Sequence, residues 1–413
     1  MDKPVKRIVC VHLLNNYTGS PKVLAQVIRQ LQQQGYGIDL ITSRGDGFLS
    51  YLPEVQYHWF NYRWSENKVR TLLDYLRAQI SMFLILLRNY RNEEVVVYIN
   101  TLLPWGAALA GKLMKKEVVY HVHENYNKSD CLSRFNLKFF TFAATKAIYV
   151  SDYVQNCYRG VALPGKRIYN ALEEEMMPMQ RSGAEYIQSA APDSRHDSQS
   201  AAADPAWSTT RTSAAADPAW STTRTSAAAD SSVLLIAAMR AYKGIYQFLK
   251  LSELMPERRF ELVLSATQEE VDRFCAKSVA GANVKVYAAQ TDLRPFYRRA
   301  GVLLNLTLPD QCVETFGLTI LEAMAHGVPA IVPPVGGPVE LVTDGWNGFQ
   351  VDGRNVEELK EKIERLFSSP ELYHHFSERA VARASEFKLS VFTEQLMQVL
   401  NENSSQPNNT LSC

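Results

Sequence analysis

The chain has 413 residues, more than one ordinary core of roughly 150 residues accommodates, so two domains are expected. Lysine and arginine number 44 against 43 aspartates and glutamates, and a formal net charge of +1 excludes the global field of a nucleic-acid or polyanion binder. The six cysteines, at positions 10, 131, 157, 275, 312 and 413, show no CxxC spacing, which fits reduced thiols in a cytosolic protein rather than a metal cluster or disulfide framework.

The chain opens with "MDKPVKRIVCVHLL", in which the apolar run is short, β-branched and without a small-residue cleavage site; it reads as a first strand rather than a signal peptide. There follow a helical pattern, "PKVLAQVIRQLQQQG", and a strand, "IDLITS", and later "EVVVYIN", "LPWGAALAGKLMKK", "EVVYHVH" and "KAIYVS". Strands alternating with helices require crossover connections, so residues 1–180 are expected to form one parallel sheet wrapped on both faces. Between them, "KVRTLLDYLRAQISMFLILLRNYR" (Lys68 to Arg91) holds the longest apolar stretch, "ISMFLILL", far short of the roughly 20 residues that span a bilayer. It reads either as an amphipathic helix packed on its own sheet or, given Lys68, Arg70, Arg77, Arg88 and Arg91, as a peripheral contact with anionic membrane.

Residues 181–231 differ in kind. "SAAADPAWSTTRT" occupies Ser200 to Thr212, recurs unchanged at Ser213 to Thr225, and begins a third time as "SAAAD". The unit is shorter than solenoid repeats and offers one large apolar residue, Trp207 or Trp220, so it reads as a disordered linker. The strand and helix alternation restarts at "SSVLLIAAM" and continues through "FELVLSA", "NVKVY", "GVLLNLT" and "VPAIVP", giving a second α/β domain over 232–388. A last helix over 389–403 is expected to return to the first domain, and 404–413 reads as a flexible tail.

Chemistry concentrates in "DQCVETFGLTILEAMAHGVPAIVP". Thr315 is a plausible N-cap for a helix beginning near Phe316 and closed by Gly327 as its C′ residue. Such a helix start turns free N–H groups and a positive dipole end toward the carboxyl edge of the sheet and suits a phosphate. Glu314 would sit in the loop beside it and Glu322 about two turns in, so both can face one crevice and accept hydrogen bonds from sugar hydroxyls. The alternative is that Glu314 only complements the helix dipole and Glu322 lies on the surface.

The stretch "ETFGLTILEAMAHGVPAIVPPVGGPVELVTDGWNGFQVD" closely resembles the E-x7-E region of retaining glycosyltransferases in family 4, and with the linker aside the resemblance spans nearly the whole chain. It implies the GT-B fold, two Rossmann-like, doubly wound parallel-sheet domains facing a central cleft. It implies that Glu314 contacts the transferred sugar, that Glu322 holds the nucleotide ribose, and that the 315–318 segment (Thr315, Phe316, Gly317, Leu318) receives the diphosphate. In "IAAMRAYKG", Arg240 and Lys243 stand where the family carries cations for that diphosphate, with a shorter spacing than in many relatives. "LNNYTGSPKVLAQVI" resembles the family's glycine loop, with Gly19-Ser20 in place of Gly-Gly and Pro21 fitting the first helical position. In "EVVYHVHENY", the pair His123 and Glu124 matches the family's strand-end histidine that points at the donor sugar, whereas His121 reads as structural. Ser151 and Asn170 end late strands and read as architecture.

The resemblance thus implies transfer from a nucleotide-sugar donor to a hydroxyl acceptor, a glycan or lipid-linked saccharide of cell-surface polysaccharide or lipopolysaccharide synthesis. The catalytic set would be His123, Glu314, Arg240 and Lys243. No cofactor is expected, and the lack of a D-x-D triplet points away from a metal. Expected location is cytoplasmic, with peripheral contact at the inner membrane face. A sugar-nucleotide-binding protein of the same fold without turnover is the alternative; a nicotinamide enzyme is disfavoured because no strand is followed by G-x-G-x-x-G. Removing Arg181 to Asp230 and rejoining the ends with a short Gly/Ser linker is expected to leave folding and donor binding intact, since loop length costs only about 0.6 kcal/mol per doubling. Loss of the cooperative melting transition in that deletion would show that Trp207 or Trp220 docks on a domain.

Overall fold

The computed structural model describes residues 6–176 and 231–402, apart from 64, 66, 127–129, 161, 162, 164, 279 and 280. The 181–230 repeat segment and the tail from 404 lie outside the described residues.

The first domain contains β1 (Arg7–His12), α1 (Gly19–Gln33), β2 (Gly37–Ser43), β3 (Val55–Phe60), α2 (Lys68–Tyr90), β4 (Val95–Asn100), α3 (Trp105–Leu113), β5 (Glu117–Val122), α4 (Cys131–Ala143), β6 (Lys146–Tyr149), α5 (Asp152–Cys157) and β7 (Gly165–Arg167). The second contains β8 (Ser232–Ala237), α6 (Ile245–Leu254), β9 (Arg259–Leu264), α7 (Gln268–Lys277), β10 (Val284–Tyr287), α8 (Arg294–Arg299), β11 (Ala300–Leu304), α9 (Leu318–Ala325), β12 (Ala330–Val332), α10 (Pro338–Leu341), β13 (Gly348–Gln350), α11 (Val356–Ser368) and α12 (Pro370–Ala384). A final helix, α13 (Leu389–Asn401), follows.

Both sheets are parallel, ordered β3-β2-β1-β4-β5-β6-β7 and β10-β9-β8-β11-β12-β13. Each is therefore a doubly wound, Rossmann-like layer whose winding direction reverses once, between β1 and β4 and between β8 and β11. At such a reversal the loops leaving adjacent strand ends part to opposite faces and leave a crevice. The strand ends and following segments of β1, β4, β8 and β11 carry most of the site residues described below, and His123 and Glu124 follow the neighbouring β5. The central strands are apolar on both faces, as burial beneath two helical layers demands: Ile8, Val9, Cys10 and Val11 are all buried, as are Val233, Leu234 and Leu235.

The domains are joined by specific contacts. Ser151 Oγ donates to the Thr315 carbonyl (2.6 Å), and the Glu340 carboxylate accepts the backbone N–H groups of Asp152 (2.9 Å) and Tyr153 (2.7 Å) at the start of α5. Tyr169, Phe316 and Phe387 form an aromatic triangle with centroids 5.3 to 6.0 Å apart. Helix α13 lies on the first domain: Phe392, Leu396, Val399 and Leu400 share a core with Leu24, Val27, Ile28 and Leu31 of α1, and Thr393 Oγ1 donates to Gln30 Oε1 at 2.8 Å.

Several local expectations shift. Pro21 is the third helical residue rather than the first, a position whose N–H is equally without an intrahelical acceptor. Helix α9 begins at Leu318 with Gly317 as N-cap at φ +99, because only glycine takes that left-handed turn cheaply; Thr315 makes no cap and gives its carbonyl to Ser151. Gly327, at φ +68, closes the helix as the C′ residue. Strand β3, "VQYHWF", escaped the sequence reading because it is a half-exposed edge strand, and β13 because it has three residues.

Candidate active site

After β8 the chain makes one 3₁₀ turn, Ala241–Lys243, closed by Gly244 at φ +76. This turn aims Lys243 Nζ at Glu314 Oε2 (2.7 Å), with Thr307 Oγ1 3.4 Å away on the loop after β11. Burial pushes the Glu314 carboxyl up, but the adjacent Lys243 ammonium more than offsets this and holds it below the usual glutamate range. Lys243 responds in kind: burial works against its charge, and Glu314 outweighs burial and holds its pKa above the ordinary lysine value. The Glu314 backbone is fixed from below, where its carbonyl accepts the Gly337 N–H at 2.9 Å. A Cβ on Gly336 would lie 2.4 Å from that same oxygen, so the glycine pair permits the close stacking of the two loops.

Glu322 is the fifth residue of α9, a little over one turn in, and is 3% exposed. Its Oε2 accepts the hydroxyl of buried Tyr297, on α8, at 2.7 Å; its Oε1 accepts the ammonium of Lys22, on α1 of the other domain, at 2.6 Å. A cavity of about 330 Å³ runs between the domains, lined by Lys243, Glu314, Gly317, Leu318, Thr319 and Glu322 on one side and by Gly19 and Lys22 on the other. The two glutamates expected from the sequence thus share one cavity, with the free N–H groups of the α9 start between them. Thr315 and Phe316 are not among its lining residues: the Phe316 ring is turned into the aromatic triangle. Arg240 is exposed at the start of the 3₁₀ turn and is not among the lining residues, whereas Lys243 lines the cavity and reaches Glu314.

On the first domain, Asn100 organises the carboxyl edge of the sheet. Its Oδ1 pairs with His123 Nε2 (2.9 Å), its Nδ2 donates to the Ser20 carbonyl (3.1 Å), and its own carbonyl meets His12 Nδ1 (3.1 Å). One buried amide therefore links the Gly19-Ser20 loop to His123. Burial, then the neighbouring His121 and His12, depress the His123 pKa well below the usual value, so the imidazole is neutral near pH 7. His121 is fully buried against the Tyr98 hydroxyl (2.9 Å), in keeping with a structural role. Gly19 borders the cavity, and a Cβ there would meet nothing within 4 Å; the glycine leaves room in the cleft rather than easing a contact within the chain.

Sequence reasoning missed Lys22, Tyr297, Asn100 and Thr319. The available signal for Lys22 was a lone cation in the first turns of a helix that follows a glycine loop. Nothing in "PFYRRA" marks Tyr297, whose partner lies on another helix.

The sequence pattern and fold converge on one class. Residues 17–173 match the family described as Glycosyltransferase Family 4, and residues 224–383 match Glycosyl transferases group 1. HepE of Anabaena, solved in complex with UDP-glucose, aligns with a TM-score of 0.70 at 17% identity, over 95% of this chain and 99% of that one. Sucrose-phosphate synthase from Thermosynechococcus elongatus gives 0.68 at 16% identity, over 96% and 98%. These matches give the chain the GT-B fold, with one glycosyltransferase family model matching each half. Among sequence relatives, a sucrose synthase of Melioribacter roseus is 37% identical over 89 residues, which is 20% of this chain and 11% of that protein. An uncharacterized glycosyltransferase of Haemophilus influenzae is 25% identical over 174 residues, 41% of this chain and 48% of that protein. The match therefore covers less than half the length of either relative.

Beside His123, burial pushes the Glu124 carboxyl up to about 7, against the lowering by the Leu102 N–H that donates to it at 3.1 Å. Its folded pKa thus exceeds its unfolded one, so the stability it contributes is complete below about pH 4.5 and is lost as pH rises through about 7. Glu124→Gln keeps an acceptor oxygen for Leu102 and removes the titration. Its Tm relative to wild type is expected to rise from about pH 5 to about pH 8 in thermal melts, whereas an equal difference at both pH values would exclude the shift.

Proposed function

We propose that the chain is a retaining glycosyltransferase that moves a sugar from a nucleoside-diphosphate donor to a hydroxyl of a glycan or lipid-linked saccharide. The observation that carries this reading is the pairing of Glu314, held by Lys243, with Glu322, held by Tyr297, on either side of the open α9 start in one cavity. Glu322 suits the vicinal hydroxyls of a ribose, the N–H groups of Gly317, Leu318 and Thr319 suit the diphosphate, and Glu314 suits the hydroxyls of the transferred sugar. The leaving diphosphate gains negative charge as its bond to the anomeric carbon breaks, and Lys243 with the helix start would stabilise it. No protein nucleophile is assigned. The acceptor hydroxyl attacks the same face that the phosphate leaves and passes its proton to that phosphate; neutral His123, held by Asn100 and outside the lining of this cavity, is the first-domain group that the resemblance turns toward the sugar.

In this reading Lys243 and the N–H groups of the α9 start do on the diphosphate what a divalent cation would otherwise do. Turnover is expected to survive EDTA. A radiolabelled donor panel, with the UDP-sugars first because HepE was solved with UDP-glucose, separates transfer from mere binding: a binding protein protects donor without consuming it. Glu322→Ala is expected to raise donor KM more than it lowers kcat, and Glu314→Ala mainly to lower kcat, since only sugar contacts change on the way to the transition state. Lys243→Ala is expected to cost about 10²- to 10³-fold in kcat, and Arg240→Ala less. Donor consumption that EDTA abolishes and Mn²⁺ restores, with Lys243→Ala near wild type, would overturn this account.

The first domain also carries a face suited to anionic membrane. Of 14 exposed large apolar side chains among the described residues, ten lie on the neighbouring helices α2, α3 and α4: Val69, Leu72, Leu73, Leu76, Ile80, Leu84, Leu113, Leu132, Phe135 and Phe142. On α2 the buried face is a separate one, formed by Tyr75, Ala78, Gln79, Met82, Leu86 and Tyr90, so the outer apolar stripe is not its packing surface. Five cations and one acid, Asp74, accompany that stripe between positions 68 and 91. No helix among the described residues is long and apolar enough to cross a membrane, so contact would be peripheral. Flotation with phosphatidylglycerol vesicles at low salt, weakened at high salt and abolished by Leu73→Ser with Leu76→Ser, is the expected result. A concentration-dependent dimer that the same substitutions dissolve, without flotation, would assign the face to a second copy instead.

A further inference from the structure

Lys22 sits near the start of α1, and its ammonium ends on Glu322 across the interdomain cleft. The pair is largely withdrawn from water, with the lysine side chain 15% and the glutamate side chain 4% exposed. The other carboxylate oxygen already accepts the Tyr297 hydroxyl. Two vicinal ribose hydroxyls that approach Glu322 from the cleft therefore meet Lys22 on the oxygen they require. If they take it, the ammonium loses its partner in a poorly hydrated place, and an unpaired buried charge is strongly disfavoured. Lys22 lines the same cavity as the N–H groups of Gly317 and Leu318, and its flexible stem holds the ammonium 5.8 Å from the Phe48 ring, on the rim of that cavity.

We propose that Lys22 is a donor-binding residue that changes partner: it leaves Glu322 as the ribose arrives and pairs with the diphosphate of the same nucleotide. The inference rests on the donor reading above and adds to it a cation from the opposite domain. Lys243 and Lys22 then reach the diphosphate from the two sides of the cleft, so donor binding draws the domains together through the ligand rather than through the direct ion pair. A bare nucleoside would have to displace Lys22 without offering it a new partner, so the site should discriminate against nucleosides lacking phosphate.

The test is calorimetric titration of the full chain with UDP and with uridine, or with the GDP and ADP pairs should the wild type prefer them. The variants are Lys22→Gln, which can still donate to Glu322 but carries no charge, and Lys22→Arg, which keeps both. Lys22→Gln is expected to weaken diphosphate binding by about tenfold or more, the usual weight of one charge-assisted contact, while nucleoside affinity stays equal or improves. The diphosphate-over-nucleoside ratio should therefore collapse in Lys22→Gln and persist in Lys22→Arg, and the salt dependence of diphosphate binding should become shallower. A melting curve checks that Lys22→Gln is folded; if it is not, Lys22→Met together with Glu322→Gln removes the buried charge as well, and the ratio is read there. An unchanged ratio, or equal tightening of both ligands, overturns the exchange and leaves Lys22 as a structural ion pair. Failure of the wild type to bind UDP, GDP or ADP would instead overturn the donor reading, and the exchange with it.

Discussion

Burying carboxylates without leaving them unpartnered is the constraint around which this cleft is organised. A carboxylate taken from water loses several kcal/mol of hydration unless hydrogen bonds and an opposite charge replace it. Glu314 meets that requirement within its own domain, through Lys243, and Glu322 meets it only with help from the other domain, through Lys22. The chemistry of the site and the relative placement of the two domains are thereby one problem. Each acid is satisfied in a way that leaves a lysine beside the space a diphosphate would occupy.

The second set of interdomain contacts works differently. Glu340 completes the exposed N–H groups at the start of α5, and Ser151 holds the carbonyl of Thr315, the residue next to Glu314. These are short, directional bonds to backbone, backed by the packed rings of Tyr169, Phe316 and Phe387. They form a fixed edge, whereas the Lys22 contact depends on a long flexible side chain. The loop that carries Glu314 is thus tied to the first domain through backbone, whereas Glu322 is tied to it through one long side chain.

Much of this was legible in the sequence, for identifiable reasons. Buried parallel strands are short β-branched runs, so "RIVCVH", "VVVYIN" and "SVLLIA" announce themselves, and their alternation with helices fixes the doubly wound layout. The acids at 314 and 322 lie close in sequence and flank one helix start, so their shared crevice could be inferred locally. What local pattern cannot carry is a contact between residues 300 positions apart, and Lys22 and Tyr297 entered only through the fold. Arg240 and Lys243 could not be told apart locally: both belong to one short turn, whose last residue, Lys243, lines the cavity while Arg240 is exposed at its N-cap. On α2 the buried residues Tyr75, Ala78, Gln79, Met82, Leu86 and Tyr90 recur at helical spacing, but a second apolar stripe on the same helix hides that face in the sequence.

The position of α13 has a consequence for the order in which the molecule is assembled on the ribosome. Leu24, Val27, Ile28 and Leu31 of α1 complete their packing against residues 392–400, which are synthesised after the entire second domain. The first domain thus emerges early with an apolar face of α1 uncovered, and that face is closed by α13, which appears only after the second domain. Domains commonly fold as units in the order of synthesis. Here the nascent first domain waits for α13, and a translation product interrupted before it would expose a ready site for chaperones and proteases.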